Sequence, residues 1–147
     1  MKPPGLFLVD FVARDMEATI AFYRALGLDI PETAIWRTAT GAHHVDIAMP
    51  GGATVHFDSH ALAKAYDRGW REPSGPGTRI VLSFRVDSRE EVDRLHDHLT
   101  ALGHPSAQPP FDAFWGARYA IVEDPDGNHI GLMSASDPAR RTAPPEI

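Results

Sequence analysis

The chain has 147 residues, 43% of them hydrophobic and 23% charged, which suits one globular domain and is too short for two ordinary domains unless they are small half-modules. Its formal net charge is −6 and its Lys and Arg residues are scattered, which argues against nucleic acid and anionic membranes, since both bind concentrated basic surfaces. The sequence contains no cysteine, so disulfides, thiolate nucleophiles and thiolate metal ligands are excluded.

The first half of the chain has the pattern of a strand, a helix and three strands. An apolar run at 6–12 predicts a buried strand, and Asp15 is placed to cap a helix over 16–26. We expect Gly27 to end this helix, because glycine readily adopts the left-handed conformation that follows a last helical turn. Three candidate strands follow, separated by turn residues: TAIWRTAT, HHVDIAM and ATVHFD.

The second half repeats that order after a break. Residues 59–78 combine a short helical pattern with a Pro- and Gly-rich stretch, and we interpret them as a linker. RIVLSFRV then predicts a strand, and Ser88 with Glu91 forms a capping-box pattern at the start of a helix. ARYAIVE and HIGLM flank the turn-rich residues 124–128, which predicts a β-hairpin. The polar, Pro-rich tail at 137–147 is expected to be frayed.

Two short motifs recur at nearly the same separation. The Ala-Leu-Gly motif at 25–27 returns 76 residues later at 101–103, and the turn at 50–52 returns 75 residues later at 125–127. An internal repeat of this kind takes priority over other fold signals, because each copy forms one structural unit. The βαβββ modules predicted from the repeat span 5–58 and 79–136.

These modules, with the helix motif ATIAFYRALGL and the later WGARYAIVEDPDGNHIGL, resemble the vicinal-oxygen-chelate superfamily of glyoxalase I, extradiol dioxygenases, fosfomycin-resistance enzymes and bleomycin-resistance proteins. The resemblance covers roughly residues 5–137 and is closest to the metal-free, bleomycin-resistance-like branch. It implies an α+β fold in which two βαβββ modules form a curved, mixed eight-stranded cup. The motifs concern helix packing and turns, so they indicate the fold and say little about the reaction.

Enzymes of this superfamily hold one divalent metal at the base of the cup, with ligands from the first and last strands of each module. The resemblance assigns these positions to Leu8, His56, Ile80 and Gly131, with Leu8 and Ile80 each seven residues before an aspartate. Only His56 has a side chain that can bind a metal, whereas a catalytic site needs about three protein ligands. The resemblance therefore implies that the usual metal site is missing and that no cofactor is bound.

His56 is the main polar candidate of the first module. Alternation along its strand predicts that His56, Thr54 and Asp58 share the face that the resemblance assigns to the cup. His56 is then either a hydrogen-bonding or acid–base group for a ligand, or a partly buried histidine satisfied by its neighbours. A third alternative joins His56 with His44 or Asp46 in an unorthodox metal site.

Asp10 has the same strand parity as Leu8 and is therefore expected on the same face. A carboxylate within an otherwise apolar strand is costly to bury without a partner. Asp10 is accordingly either a ligand contact or the partner of an arginine such as Arg118.

Apolar and aromatic side chains form the remaining candidates. Phe84 has the parity of Ile80, and Met133 that of Gly131, so each either lines the cup or belongs to the core. The Trp-Gly pair at 115–116 is common in the bleomycin-resistance-like branch, whose aromatic rings line a cleft shared by two subunits. The ligand-binding residues predicted from the whole sequence are Asp10, Trp36, His56, Phe84, Phe111, Phe114, Trp115, Arg118 and Met133.

Two functions from different classes stay open. The first is a metal-free protein that sequesters a bulky, aromatic small molecule such as an antibiotic, acting as a homodimer. The second is a lyase, isomerase or dioxygenase for a small oxygenated substrate, with His56 as acid–base group or with displaced metal ligands. The sequence contains no apolar run of about 18 residues and no secretory signal, so we expect a cytoplasmic protein without a membrane partner.

Overall fold

The computed structural model describes residues 3, 6, 8–67, 70–74 and 80–143. The chain divides into two compact units, Met1–Gly75 and Pro76–Ile147, which we describe one at a time. The division falls inside the stretch that the sequence predicts to be a linker.

In its described residues, the first unit has one four-stranded sheet and two α-helices. The strands lie in the order β1-β4-β3-β2, where β1 and β4 are parallel and the other neighbours are antiparallel. Short 3₁₀ turns aside, its elements in chain order are β1 (Leu8–Ala13), α1 (Met16–Leu26), β2 (Trp36–Thr38), β3 (Gly41–Ala48), β4 (Thr54–Ser59) and α2 (His60–Tyr66).

The second unit repeats this topology. Its strands lie in the order β5-β8-β7-β6, again with one parallel pair, β5 and β8, and antiparallel neighbours elsewhere. The elements are β5 (Val81–Arg85), α3 (Arg89–Ala101), β6 (Ser106–Asp112), β7 (Arg118–Glu123) and β8 (His129–Met133). The predicted α+β architecture of two βαβββ modules is thereby confirmed.

Each sheet buries one face. In the first unit, Phe11, Tyr23 and Phe57 pack ring against ring at centroid distances of 4.5 to 5.6 Å. Tyr23 comes from α1 and the two phenylalanines from β1 and β4, so helix and sheet meet through aromatic contacts. Successive side chains of a strand alternate between faces, so the residues between these core positions lie on the opposite face of the sheet.

The helix boundaries follow from capping chemistry. The Asp15 carboxylate accepts a hydrogen bond from the backbone amide of Ala18, and Gly27 ends α1 with φ of 111°. Ser88 accepts from the amide of Glu91 at the start of α3, as predicted. The Glu91 carboxylate pairs with Arg94. Of the two reciprocal hydrogen bonds of a capping box, the one that Ser88 accepts is therefore formed.

The β-hairpin predicted around 124–128 is confirmed, and its turn is held by one carboxylate. Asp124 accepts hydrogen bonds from the backbone amides of Asp126 and Asn128 and from the Asn128 side chain. Asp124 is only 3% exposed, so these bonds satisfy a carboxylate that is otherwise removed from water. The turn is therefore a well-defined element that sets the register of β7 and β8.

Part of the C-terminal tail forms main-chain hydrogen bonds with the loop between β6 and β7. The backbone amide of Asp137 donates to the carbonyl of Gly116, and that of Thr142 donates to the carbonyl of Phe114. These hydrogen bonds between main-chain amides of the tail and main-chain carbonyls of the loop between β6 and β7 attach residues up to 143 to that loop. The last four residues of the predicted tail, 144–147, lie outside the described residues.

Candidate functional site

The face of the first sheet that lies away from α1 carries a group of ionisable side chains. Asp10 and Asp46 both pair in register with His56, which lies between them on the central strand β4. One step along the same face, His44 pairs with Asp58. Residues that are directly opposite on neighbouring strands present their side chains on the same face. The sheet therefore gathers three aspartates and two histidines in one cluster.

Asp58 is the centre of this cluster. Its Oδ1 lies 2.5 Å from Nδ1 of His44, and its Oδ2 accepts a hydrogen bond of 2.9 Å from the hydroxyl of Tyr66 on α2. The Asp58 side chain is only 5% exposed, whereas that of His44 is 31% exposed. A buried carboxylate thus holds an imidazole whose other nitrogen, Nε2, is 3.9 Å from the Asp46 carboxylate.

His56 and Asp10 form a looser second pair beside this centre. Nδ1 of His56 is 3.8 Å from the Asp10 carboxylate, and Nε2 is within hydrogen-bond distance of the Thr54 hydroxyl, at 3.2 Å. The His44 and His56 rings meet edge to face with their centroids 5.3 Å apart. The two imidazoles are therefore close neighbours, each with a carboxylate on its Nδ1 side.

The electrostatics of the cluster favour neutral or positively charged partners. Burial raises the pKa of Asp10 above its ordinary value, and the negative charge of Asp58 raises it further, while His56 and His44 oppose the shift. Burial and the hydrogen bond to Asp58 also raise the pKa of Tyr66, so its hydroxyl stays protonated and donates. Crowded carboxylates of this kind disfavour a further negative charge.

We predict that Asp10→Asn stabilises the protein at neutral pH. Because the pKa of Asp10 is raised in the folded state, its contribution to stability is present below the unfolded value near 3.8 and is lost as pH rises through the folded value. Removing the charge should therefore raise the melting temperature at pH 7, and the gain should disappear as pH is lowered toward 4. Thermal denaturation of both proteins across this range measures it.

Asp46→Asn is the matched control, since Asp46 pairs with the same histidine but its side chain is 64% exposed. It should change the melting temperature less than Asp10→Asn at pH 7. Equal gains from both substitutions would contradict the burial argument.

In the second unit, neighbouring side chains fill the space next to Gly131 on the corresponding face of the sheet. A Cβ at this position would lie 2.3 Å from Oγ of Ser83 and 2.7 Å from the hydroxyl of Tyr119, so those two hydroxyls occupy the space of a side chain. They also lie 3.1 Å apart, within hydrogen-bond distance of each other. The position at which the family resemblance expects a ligand is thus filled by neutral hydroxyl groups.

The register of the second unit corrects two sequence-based assignments. Gly131 pairs with Ser83, so Ile80 and Phe84 have the opposite parity and do not share its face. Phe84 instead pairs with Leu132, which is fully buried, so Phe84 belongs to the face that packs on α3. The reason is a one-residue offset. The second helix is capped by Ser88, whereas Ile80 lies seven residues before the preceding Asp87.

Aromatic side chains from β6, β7 and the loop between them form the aromatic face, which we define as Phe111, Phe114, Trp115 and Tyr119. Trp115 is central, with its ring 5.1 Å from Phe114, 5.5 Å from Tyr119 and 6.4 Å from Phe111. Met133 pairs in register with Tyr119 and shares its face. The structure therefore gathers four of the predicted contact residues, together with Tyr119, beside the hydroxyl-filled position of Gly131.

Trp36 and Arg118 lie elsewhere. Trp36 is half exposed in the first unit, with its ring 5.4 Å from that of His43. Arg118 forms ion pairs with Asp93 of α3 at 2.9 Å and with Asp112 at 3.2 Å. Side chains alternate along β7, and Arg118 falls on the same face as the buried residues of that strand. Its side chain therefore lies on the face that packs on α3, away from the aromatic face.

Asp10 and Arg118 each have charged partners within their own unit. The carboxylate of Asp10 lies against His56, and the guanidinium of Arg118 is engaged by two aspartates.

The residues present do not fit the divalent metal that the resemblance associates with enzymes of the superfamily. Asp10 and His56 could each supply a ligand, but their equivalents in the second unit are Ser83 and Gly131, which offer only a hydroxyl and no side chain. Across the part of the chain that the structure describes, His, Asp and Glu side chains form no group of three or more that could hold a metal ion. The suggested site of His56 with His44 or Asp46 is therefore not formed.

A cavity of about 280 Å³ in the second unit is lined by Arg89, Asp112, Ala113, Gly116, Arg140 and Thr142. Arg89, one of its lining residues, already donates to Asp112 and to the carbonyl of Gly116. Arg140 pairs with Asp137, so each charged side chain of the lining already has an ionic partner.

Sequence reasoning missed Tyr66 and Ser83 as members of these sites. Tyr66 lies in the predicted linker, and only the packing of α2 brings its hydroxyl to Asp58. The sequence contains one indication for Ser83, which is its distance along the chain from Ser88, the cap of the second-unit helix, and not from Asp87. Counting back from the cap aligns Ser83 with Asp10.

The fold is that of a known superfamily. Residues 5–132 match the profile of the Glyoxalase/Bleomycin resistance protein/Dioxygenase superfamily, so the chain belongs to that superfamily. No protein of curated function shows significant sequence similarity to the chain.

Solved structures of the same fold include enzymes and proteins of unassigned role. A glyoxalase/bleomycin resistance protein/dioxygenase family enzyme from Burkholderia phytofirmans PsJN is 24% identical with a TM-score of 0.73, covering 89% of this chain and 98% of its own. A hypothetical protein from S. aureus is 22% identical with a TM-score of 0.69, covering 92% and 96%. Lactoylglutathione lyase from Agrobacterium tumefaciens is 23% identical with a TM-score of 0.62, covering 91% and 96%. At these identities the similarity establishes the fold alone.

None of the helices in the described ranges is long and apolar enough to cross a membrane.

Proposed function

We propose that this protein binds a small aromatic molecule without a metal and sequesters it stoichiometrically. The observation that carries the proposal is the environment of Gly131, where the hydroxyls of Ser83 and Tyr119 occupy the space that a metal-binding side chain would need. The superfamily's metal chemistry requires about three protein ligands with oxygen or nitrogen donors. Without them, affinity for the ligand is the function that the site supports best.

The aromatic face supports the nature of the ligand. Phe114 is 39% exposed although it is a large apolar residue, and its ring packs edge to face on Trp115. Aromatic rings favour offset-stacked or edge-to-face contact with other rings, and Trp and Tyr lose little conformational entropy when they bind. A planar, aromatic molecule such as an aromatic antibiotic is therefore the proposed ligand class, which suggests a protective role in the cytoplasm.

A homodimer is part of this proposal. Ile80 and Val81 at the start of β5 are 67% and 46% exposed, and β5 lies at an edge of its sheet. A second copy of the chain would cover such an apolar edge, which otherwise invites nonspecific pairing. Native mass spectrometry should accordingly give a species of twice the chain mass.

The experiment that tests the proposal combines metal exchange with ligand titration. The protein is treated with EDTA or incubated with Fe²⁺, Mn²⁺, Ni²⁺ or Zn²⁺, and each sample is titrated with bleomycin and a panel of aromatic antibiotics by tryptophan fluorescence. We expect no retained metal by native mass spectrometry and an affinity for the panel that EDTA does not change.

One retained metal per chain, together with a loss of affinity after EDTA, would overturn the proposal. His56→Ala serves as the diagnostic variant in that case, since it removes one of the two first-unit groups that could supply a ligand. A metal that persists in His56→Ala would place the metal site outside the cluster described here.

A further inference from the structure

We propose that residues 134–142 form a C-terminal strap that positions the loop carrying Phe114 and Trp115, and thereby orients the aromatic face for its ligand. The strap follows β8, and the loop at 113–117 joins β6 to β7. Both segments belong to the second unit. This inference rests on the proposed binding of an aromatic molecule and adds the means by which the chain positions that site.

Main-chain hydrogen bonds attach the strap to the loop on both sides of Trp115. The amide of Asp137 donates to the carbonyl of Gly116 at 3.1 Å, and the amide of Thr142 donates to the carbonyl of Phe114 at 2.9 Å. These two carbonyls belong to the residues immediately before and after the tryptophan. The strap therefore restricts rotation of the backbone that carries the Trp115 ring.

The start of the strap is anchored in the interior of the second unit. Ser134 is only 2% exposed. Its amide donates to the carbonyl of Arg118 at 3.0 Å, and its hydroxyl accepts from the amide of Arg118 at 2.9 Å. A 3₁₀ turn at Pro138–Arg140, capped by the Asp137 carboxylate, then leads to Thr142. The strap thus leaves the sheet from a fixed point and reaches the loop through a defined turn.

Gly116 is the point at which strap and loop approach most closely. A Cβ at this position would overlap the carbonyl oxygen of Asp137 and would lie 3.2 Å from Cγ of Arg141. The φ angle of Gly116 is 93°, which also favours glycine. The glycine of the Trp-Gly pair at 115–116 therefore leaves the space that the strap occupies.

The loop also has hydrogen bonds that do not involve the strap. The amide of Gly116 donates to the carbonyl of Ala113 at 2.8 Å, and the amide of Ala113 donates to the carbonyl of Ala117 at 2.9 Å. Nη1 of Arg89, on α3, donates to the carbonyl of Gly116 at 3.2 Å. Release of the strap is therefore expected to loosen the orientation of Trp115 without unfolding the loop.

The strap can detach at a small cost in free energy. Residues 135–143 are exposed. The cavity of about 280 Å³ lies between strap and loop, with Arg140 and Thr142 of the strap and Ala113 of the loop among its lining residues. Segments with few buried contacts open locally well before the whole domain unfolds. The apparent affinity for a ligand then depends on the fraction of molecules in which the strap is in place.

The test uses a protein in which Trp115 is the only tryptophan. The chain has three tryptophans, so Trp36→Phe together with Trp70→Phe gives this background protein. Acrylamide quenching of its fluorescence measures the accessibility of the Trp115 ring in the absence of any ligand. Titration of the same protein with the antibiotic panel measures affinity.

Thr142→Pro removes one attachment, because proline has no N–H group to donate to Phe114. Arg141 has φ of −69° and ψ of 139°, a conformation compatible with a following proline. We expect a higher quenching constant and, for the tightest-binding compound, an affinity weaker by about 2- to 10-fold, the effect of one lost hydrogen bond. Thr142→Ala is the matched control, since it keeps the amide and should behave like the background protein.

Gly116→Ala displaces the strap from the other side and should also raise quenching and weaken binding. Its control is Gly103→Ala, since Gly103 has a φ of 95° and a Cβ there would meet no atom within 4 Å among the described residues. The two substitutions strain the backbone similarly, but only the first moves a neighbour. Thermal melting followed by circular dichroism shows which variants fold, and Thr142→Pro decides alone if Gly116→Ala does not.

Quenching of Thr142→Pro at the level of the background protein would overturn the strap, and so would an equal rise in Thr142→Ala. Raised quenching with unchanged affinity would overturn its role in ligand binding. A wild-type protein that bound no compound of the panel would instead overturn the proposed binding function. The quenching measurement would still decide whether the strap positions Trp115, because it needs no ligand.

Discussion

Trp115→Ala is expected to weaken the binding of an aromatic ligand by about 30-fold or more, because central tryptophans of binding sites contribute about 2 kcal/mol or more when truncated. Trp115 contacts Phe111, Phe114 and Tyr119, so its removal also opens the aromatic face. Fluorescence titration with the tightest-binding compound of the antibiotic panel measures the change in Kd.

Trp70→Ala is the matched control for this experiment. Trp70 packs on His60 at a ring distance of 4.7 Å and lies under the amino group of Lys64, so its role is to hold the segment after α2. Its loss should leave the affinity within a few-fold of wild type. If Trp115→Ala bound as tightly as wild type while Trp70→Ala did not, the aromatic face would not be the binding site.

Phe57→Ala is expected to lower the free energy of unfolding by about 3–5 kcal/mol, which is a large part of the usual stability of a domain. Phe57 is fully buried, and its ring lies 4.5 Å from that of Tyr23 and 5.6 Å from that of Phe11. Truncation therefore leaves a cavity between β4 and α1 that a rigid aromatic cluster can fill only in part. Urea denaturation followed by circular dichroism gives the change.

Leu102→Ala is the control for Phe57→Ala, since Leu102 is 55% exposed and its truncation should change stability by no more than about 0.5 kcal/mol. A loss below about 1 kcal/mol for Phe57→Ala would mean that the first unit does not depend on this aromatic core. The same variant also bears on function, because His56 and Asp58 flank Phe57 on β4 and keep their facing only while that strand is packed.

Elements with a local cause were predictable from the sequence. Asp15 and Ser88 bind amides three residues ahead, and Asp124 holds a turn of five residues, so their chemistry is visible within a short segment. The repeat of two βαβββ modules was equally accessible, since similar segments form similar units. Asp10 and His56 were assigned to one face because the resemblance gave Leu8 and His56 equivalent positions and alternation along the first strand gives Asp10 the facing of Leu8.

Contacts between side chains of different strands and helices were not predictable from the sequence, because they depend on how the elements pack. A register between strands depends on pairing, and a one-residue difference reverses the facing of a whole strand, as the exchange of Phe84 for Ser83 illustrates. Tyr66 reaches Asp58 through the packing of α2, which no periodicity encodes. The filled position at Gly131 likewise depends on Ser83 and Tyr119, which are 48 and 12 residues away along the chain and adjacent only in the folded sheet.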